Sequence, residues 1–301
     1  MKKILLMAIL ILTVGVIAAC GGDDEGNGGD GENSGGSEGE GKLAELQEEG
    51  VVTIGFANEE PYAYEGEDGE LKGAAVDIAA AVFAELGIEE MDSQLADFGS
   101  LIPGLQANQF DVVTAGMAIT PDRCENALFA EPEMVYGEGL VVQAGNPLDI
   151  HSYDDIAANP DIRVSVMAGA TEIGFLEAHD VSDDQITTAS DIPSTFSAVE
   201  SDRADVTTAT EMTLRMAMET AGDSLEFVDD FEQPDVEGVP SYGAAAFSLE
   251  NEELRDAYNE KLNELKEDGT VQELLEANGF VDNMVEVGEV TAESVCSGEN
   301  Y

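Results

Sequence analysis

Short runs of Val, Ile and Phe alternate along the chain with longer stretches in which apolar residues return every three or four positions. Val51-Val52-Thr53-Ile54-Gly55-Phe56 reads as a buried strand. From Gly73 to Leu86 the apolar positions Val76, Ala80, Phe83 and Leu86 keep helical spacing, and Gly87 follows as a stop. The pattern then predicts a short helix over Leu101–Gln109, a strand over Asp111–Gly116 and an extended run over Leu140–Gln143. After Asn146-Pro147 the alternation restarts. A strand over Arg163–Met167 leads through the small loop Ala168–Thr171 into a helix. A helix near Ser194–Ser201, a strand over Ala204–Thr208 and a helix near Glu211–Thr220 come next, then an extended stretch over Ser241–Phe247. Two strong helical segments, Glu252–Glu267 and Val271–Asn278, follow with Gly269 between them. Such alternation predicts α/β layers with largely parallel sheets, whose ligands sit beyond the carboxyl ends of the strands. No period of about 20–50 residues repeats, which argues against a solenoid.

The N-terminal segment is patterned differently. Lys2 and Lys3 precede an apolar run from Ile4 to Ile17, broken by Thr13 and Gly15, and the segment closes on Ile17-Ala18-Ala19-Cys20. A basic start, a short apolar stretch and small residues at a cleavage site describe a secretory signal over residues 1–20. The run is short of the roughly 20 residues of a membrane span. A cysteine directly after the small residues resembles the lipobox of bacterial lipoproteins, which implies acylation of Cys20 and a membrane-anchored, extracytoplasmic protein. The alternative is an ordinary cleaved signal with an incidental cysteine. Residues 21–41 contain only Gly, Asp, Glu, Asn and Ser. They have nothing to bury and are expected to be a disordered acidic tether.

Charge narrows the partners. Sixty-five Asp and Glu face eleven Lys and Arg, for a net charge of −54. Such a chain repels phosphates, so nucleic acid is excluded as a partner. With 43% apolar residues in clear periodicity the acids read as a solvated surface suited to high salt rather than as disorder. A folded part that melts higher in molar salt would bear this halophilic reading out; indifference to salt would end it. Cys124 and Cys296 remain once Cys20 is assigned to the lipid. Outside the cytoplasm they can form a disulfide or persist as two thiols.

Enzymatic signatures are thin. His151 and His179 have no second histidine at metal-ligand spacing, and no nucleophile elbow, phosphate loop or dinucleotide fingerprint is present. No catalytic residue, metal or cofactor is expected. Polar and aromatic residues do gather at strand ends: Asn58-Glu59-Glu60-Pro61-Tyr62-Ala63-Tyr64, Phe98-Gly99-Ser100-Leu101-Ile102-Pro103-Gly104-Leu105, Gly116-Met117-Ala118-Ile119-Thr120-Pro121-Asp122-Arg123-Cys124, and Gly169-Ala170-Thr171-Glu172. Arg123 is one of five arginines and directly follows a strand end, where a guanidinium can grip a ligand carboxylate bidentately. Thr171, at a helix start, adds a hydroxyl and backbone donors. Glu59 suits a cationic ligand group, and Tyr62 and Phe98 suit stacking on a flat or cationic one. For Arg123 the plain alternative is a surface ion pair, for Glu59 a solvated acid and for Phe98 a core position.

These stretches, in this order, resemble the polar amino-acid-type solute-binding proteins of ABC importers (family 3) over roughly Lys42 to Cys296. Ala57-Asn58-Glu59 before Pro61, the Phe98–Leu105 stretch, Pro121-Asp122-Arg123-Cys124, Gly145-Asn146-Pro147 and the late Cys296 are similar to features of ectoine and hydroxyectoine receptors. The resemblance implies a two-lobed, type II periplasmic-binding-protein-like α/β fold with two hinge crossings. Residues 42–143 and 243–301 would form lobe 1 and residues 144–242 lobe 2. It also implies a monomer that captures a small zwitterionic solute, serves an ABC permease and is not an enzyme, and it matches a Cys124–Cys296 bond.

The departures bear on the solute. Amino-acid-binding relatives place Ser or Thr at Ala118 and Asp at Thr210 to hold the α-ammonium. Both groups are missing here, and an ammonium closed in without a charged partner is costly. Ectoine, with a carboxylate and a cyclic amidinium, suits Arg123 and Thr171 at one end and Glu59 at the other. Ectoine receptors, however, carry an aromatic at Ala118, so Met117 or Tyr136 would have to complete the cage. An amino-acid receptor, and behind it a dehydratase-type enzyme on the same fold, are the alternatives.

Overall fold

The computed structural model describes residues 41–299 other than 67 and 286. The signal segment, Cys20 and the acidic tether up to residue 40 lie outside the described residues. The chain opens with α1 (Lys42–Glu49), β1 (Val51–Phe56), a small hairpin of β2 (Tyr64–Glu65) and β3 (Leu71–Lys72), and α2 (Ala74–Glu85). Next come β4 (Glu90–Leu95), a 3-10 turn over Phe98–Ser100 leading into α3 (Leu101–Gln106), β5 (Val112–Ala118), α4 (Pro121–Cys124), β6 (Leu128–Phe129) and β7 (Met134–Tyr136). A second group holds β8 (Glu138–Gln143), α5 (Tyr153–Ala158), β9 (Val164–Met167), α6 (Glu172–Ala178), β10 (Ile186–Ala189), α7 (Ile192–Glu200), β11 (Val206–Thr210), α8 (Glu211–Thr220) and β12 (Leu225–Phe227). The chain then returns through β13 (Ser241–Phe247) to α9 (Glu252–Glu267), α10 (Thr270–Ala277), α11 (Asp282–Val285) and α12 (Ala292–Cys296).

The strands form two main sheets. One has the order β4-β1-β5-β13-β6, with β7 also paired to β13; the other has the order β10-β9-β11-β8-β12. β1 runs parallel to β4 and β5, and β9 parallel to β10 and β11, as helix-linked strands must. β13 is antiparallel to β5, and β8 antiparallel to β11. The chain therefore crosses between sheets twice, at Gly137 and between Phe227 and Ser241. β8, which the sequence reading put with the first lobe, is hydrogen-bonded into the second sheet through pairs such as Val142 with Val206.

One apolar cluster fills the first lobe and continues onto one face of the second lobe through Phe196, Val199 and Leu214, and a second cluster lies within the second lobe alone. Around α2, β5 and β13, Phe83 and Phe247 stand edge-on to Tyr258. In the second lobe Leu140, Val142, Tyr153, Val164, Val166, Phe175 and Leu176 form the core, whereas Val141 faces the other way. This alternation along β8 puts Glu138 in phase with Leu140 and Val142. Cys124 and Cys296 are joined, tying α4 to α12 across 172 positions of sequence. Among the described residues no helix is long and apolar enough to cross a membrane.

Candidate functional site

The loops beyond β1, β5, β9 and β11 converge on one cavity of about 30 Å³, room for roughly one water. Glu59, Tyr62, Phe98, Ala118, Arg123 and Tyr136 line it from the first lobe; Met167, Ala170, Thr171, Glu172 and Thr210 line it from the second. Glu59, Tyr62, Phe98, Ala118, Arg123 and Thr171 are thus gathered at one place. Met117 is not among the lining residues. It neighbours Ala118 on β5, so its side chain points to the opposite face, where it is buried in the first lobe's core. Tyr136 lines the cavity together with Ala118, and its ring meets that of Tyr62 edge-on at 5.5 Å. Its hydroxyl donates to the Gly116 carbonyl at 2.6 Å.

Local chemistry sets Arg123. Thr120 caps α4, its hydroxyl accepting from the Arg123 backbone N–H at 3.2 Å, and Pro121 fits the first helical position. The guanidinium lies over the Phe98 ring, 5.4 Å from its centroid. It donates to the Ala118 carbonyl at 2.7 Å and, across the cleft, to the Gly169 carbonyl at 2.8 Å. Two further bonds span the lobes: Tyr62 donates to Thr210 Oγ1 at 3.1 Å, and Thr213 donates to Glu59 Oε1 at 2.6 Å. The loops also touch by backbone. Gly169 has φ of 83°, and a Cβ there would lie 2.7 Å from the Gly99 Cα. Only glycine permits both that dihedral and that approach.

The cavity is acidic. Glu59 is buried, and burial pushes its carboxyl up to about 7, with the Thr213 bond opposing, Glu172 adding and Arg123 opposing. Glu172 is 3% exposed and also raised, chiefly by burial. Behind it Glu138 is 1% exposed and pushed well above the usual carboxylate range by burial and then by Glu172. Arg123 is the one cation among the described residues that line the cavity. The sequence reading did not single out Glu138, Glu172 as a side chain, or Tyr136 as an established wall. Among 65 acids one glutamate carries no signal of its own; only its burial marks it.

Comparison with known proteins places this geometry. Residues 52–279 match the model of the bacterial extracellular solute-binding proteins, family 3. A probable amino-acid ABC transporter periplasmic-binding protein, y4tE of Sinorhizobium fredii, is 37% identical over 260 residues, covering 85% of this chain and 86% of that protein. The crystal structure of EhuB in complex with hydroxyectoine superposes with a TM-score of 0.77 at 33% identity, covering 85% of this chain and 97% of that one. The ancestral amino acid-binding protein AncCDT-1, a precursor of cyclohexadienyl dehydratase, gives a TM-score of 0.68 at 27% identity, covering 78% of this chain and 98% of that one.

Proposed function

We propose that this chain, which belongs to family 3 of the bacterial extracellular solute-binding proteins, captures a compatible solute of the ectoine and hydroxyectoine kind for an ABC importer. The observation that carries the reading is the joint placement of Arg123 and Glu59 in one cavity walled by Tyr62, Phe98 and Tyr136. A guanidinium for a carboxylate, a carboxyl group for an amidinium and rings for a flat body match a cyclic zwitterion. The likeness to EhuB with hydroxyectoine supports the same choice. Thr210 is engaged by Tyr62 and Thr213 and carries no charge for an α-ammonium.

A cavity of about 30 Å³ is far below the roughly 300 Å³ or more of a ligand pocket, so the cross-lobe bonds of Arg123, Tyr62 and Thr213 must part for a solute to enter. Reclosure of the lobes on the solute would then be the signal to the permease. The receptor acts as a monomer outside the cytoplasm, held at the membrane by a lipid on Cys20, with residues 21–41 as its tether. A Cys20→Ala variant found in the medium rather than the membrane fraction supports the anchor; unchanged membrane retention removes it.

Glu172 favours a second reading. It puts a carboxyl in the cavity where Ala118 and Thr210 offer none, and an amino acid could use it for its ammonium. Titration calorimetry with ectoine, hydroxyectoine, glycine betaine and a panel of amino acids decides. Heat with ectoine or hydroxyectoine supports the first reading, whereas tight binding of an amino acid alone replaces it.

A further inference from the structure

Glu138 and Glu172 meet beneath the cavity in a way that bears on what the cleft selects. Glu138 opens β8 on the face that packs into the second lobe's core, and Glu172 opens α6 and lines the cavity. Neither carboxyl oxygen of Glu138 has a hydrogen-bond donor among the described residues. The group nevertheless lies within hydrogen-bonding reach of Glu172. Two carboxyl groups bond one another only through a proton, and a buried carboxylate with neither donor nor cation is avoided by protonation. The other titratable or charged groups facing the pair are Glu59 from the loop after β1, Arg123 from α4, Tyr62 and Tyr136 from the first lobe and Tyr153 from α5.

We propose that Glu138 and Glu172 share one proton until a solute arrives and release it when a delocalised cation, an amidinium or guanidinium, docks between Glu59 and Glu172, so that the pair selects solutes by that cation. The proposal rests on the solute-binding reading above and deepens it. Before binding the pair is one carboxylic acid and one carboxylate. Afterwards it is two carboxylates, Glu172 facing the solute's cation and Glu138 directly behind it, and the proton has gone to solvent. The parallel N–H groups of an amidinium satisfy a carboxylate as a lone proton cannot. Because the unbound protein holds the extra proton, affinity rises with pH, by up to about tenfold per unit, until the unbound pair ionises by itself.

Calorimetry of the purified protein with hydroxyectoine and with L-arginine, in buffers of different ionisation enthalpy near neutral pH, counts the protons released. Glu59 titrates in the same range and contributes in every variant that keeps it. The pair is therefore read as the difference between wild type and Glu138→Gln. That difference is expected to be close to one proton, with a flatter pH dependence of affinity in the variant. Equal proton release in both overturns the proposal. Infrared difference spectra of wild type against Glu138→Gln without any solute keep the test open should neither probe bind. A protonated carboxylic acid lost on substitution supports the shared proton, and its absence overturns it. Failure of hydroxyectoine to bind, with that band present, instead counts against the choice of solute.

Discussion

The two lobes bring different chemistry to the same cavity. The first reaches in with long side chains from the segments that follow its strands: Glu59, Tyr62, Phe98 and Arg123. The second presents Ala170, Thr171, Thr210 and the Gly169 carbonyl with the apolar Met167, and its one charged group, Glu172, is engaged with Glu138 in its own core. The first also has the bracing. Arg123 is held by the Ala118 carbonyl, by the Thr120 cap and, through the next residue, by the Cys124–Cys296 bond. Pre-organised groups lose little freedom on binding, so the first lobe is suited to be the template and the second the cover.

The largest test of that division is Arg123→Ala. Calorimetry should show the solute's affinity falling 100-fold or more, about 3–5 kcal/mol, with unchanged circular dichroism. A loss below tenfold would move recognition to the second lobe. Replacing both Cys124 and Cys296 by Ser should lower stability by about 2–4 kcal/mol in denaturant unfolding. Hydrogen exchange should rise first in α4 and α12, and equal loosening of β9 and β11 would show that the bond braces both lobes.

Glu133 separates the lobes by pH. It lies in the first lobe, is buried, accepts from the Tyr258 hydroxyl at 2.9 Å, and is pushed up to about 7, chiefly by burial. The unfolded chain gives up this proton near the ordinary value of 4.5, while the fold keeps it to about 7. The group's stabilising contribution is therefore full below 4.5 and is lost as pH rises through about 7. Glu133→Gln should remove roughly 3 kcal/mol of the decline in unfolding free energy between those limits, and an unchanged decline would assign it to other acids. The smallest effect is expected from Phe98→Ala, which takes the ring from beneath Arg123. Affinity should fall about 3- to 30-fold, or 0.5–2 kcal/mol.

Much of the fold was legible because strands buried in helix-covered sheets are short apolar runs, and Val51–Phe56 and Asp111–Gly116 matched β1 and the body of β5. β4 was not legible. Glu90-Met91-Asp92-Ser93-Gln94-Leu95 is an edge strand with mostly exposed side chains, so it carries no apolar signature. Which of Met117 and Tyr136 joins Ala118 at the cavity was hidden for a related reason. All seven residues of β5 are buried, and without polar alternation nothing in the chain says which face meets the cleft. The same limit hid the crossing at Gly137, since β7 and β8 read as extended whichever sheet they join.

The sequence alone determined the alternating α/β order, the acidic surface, the pair of cysteines and the loops that carry Glu59, Tyr62, Phe98, Arg123 and Thr171. Each follows from local pattern or composition, which is written in neighbouring residues. Tertiary structure decided that Tyr136 lines the cavity with Ala118, that Arg123 bridges the lobes to Gly169, and that Glu138, buried without a donor among the described residues, lies against Glu172. Burial and desolvation come from residues far apart in the chain, and it is they that turn two ordinary glutamates into a proton-sharing pair.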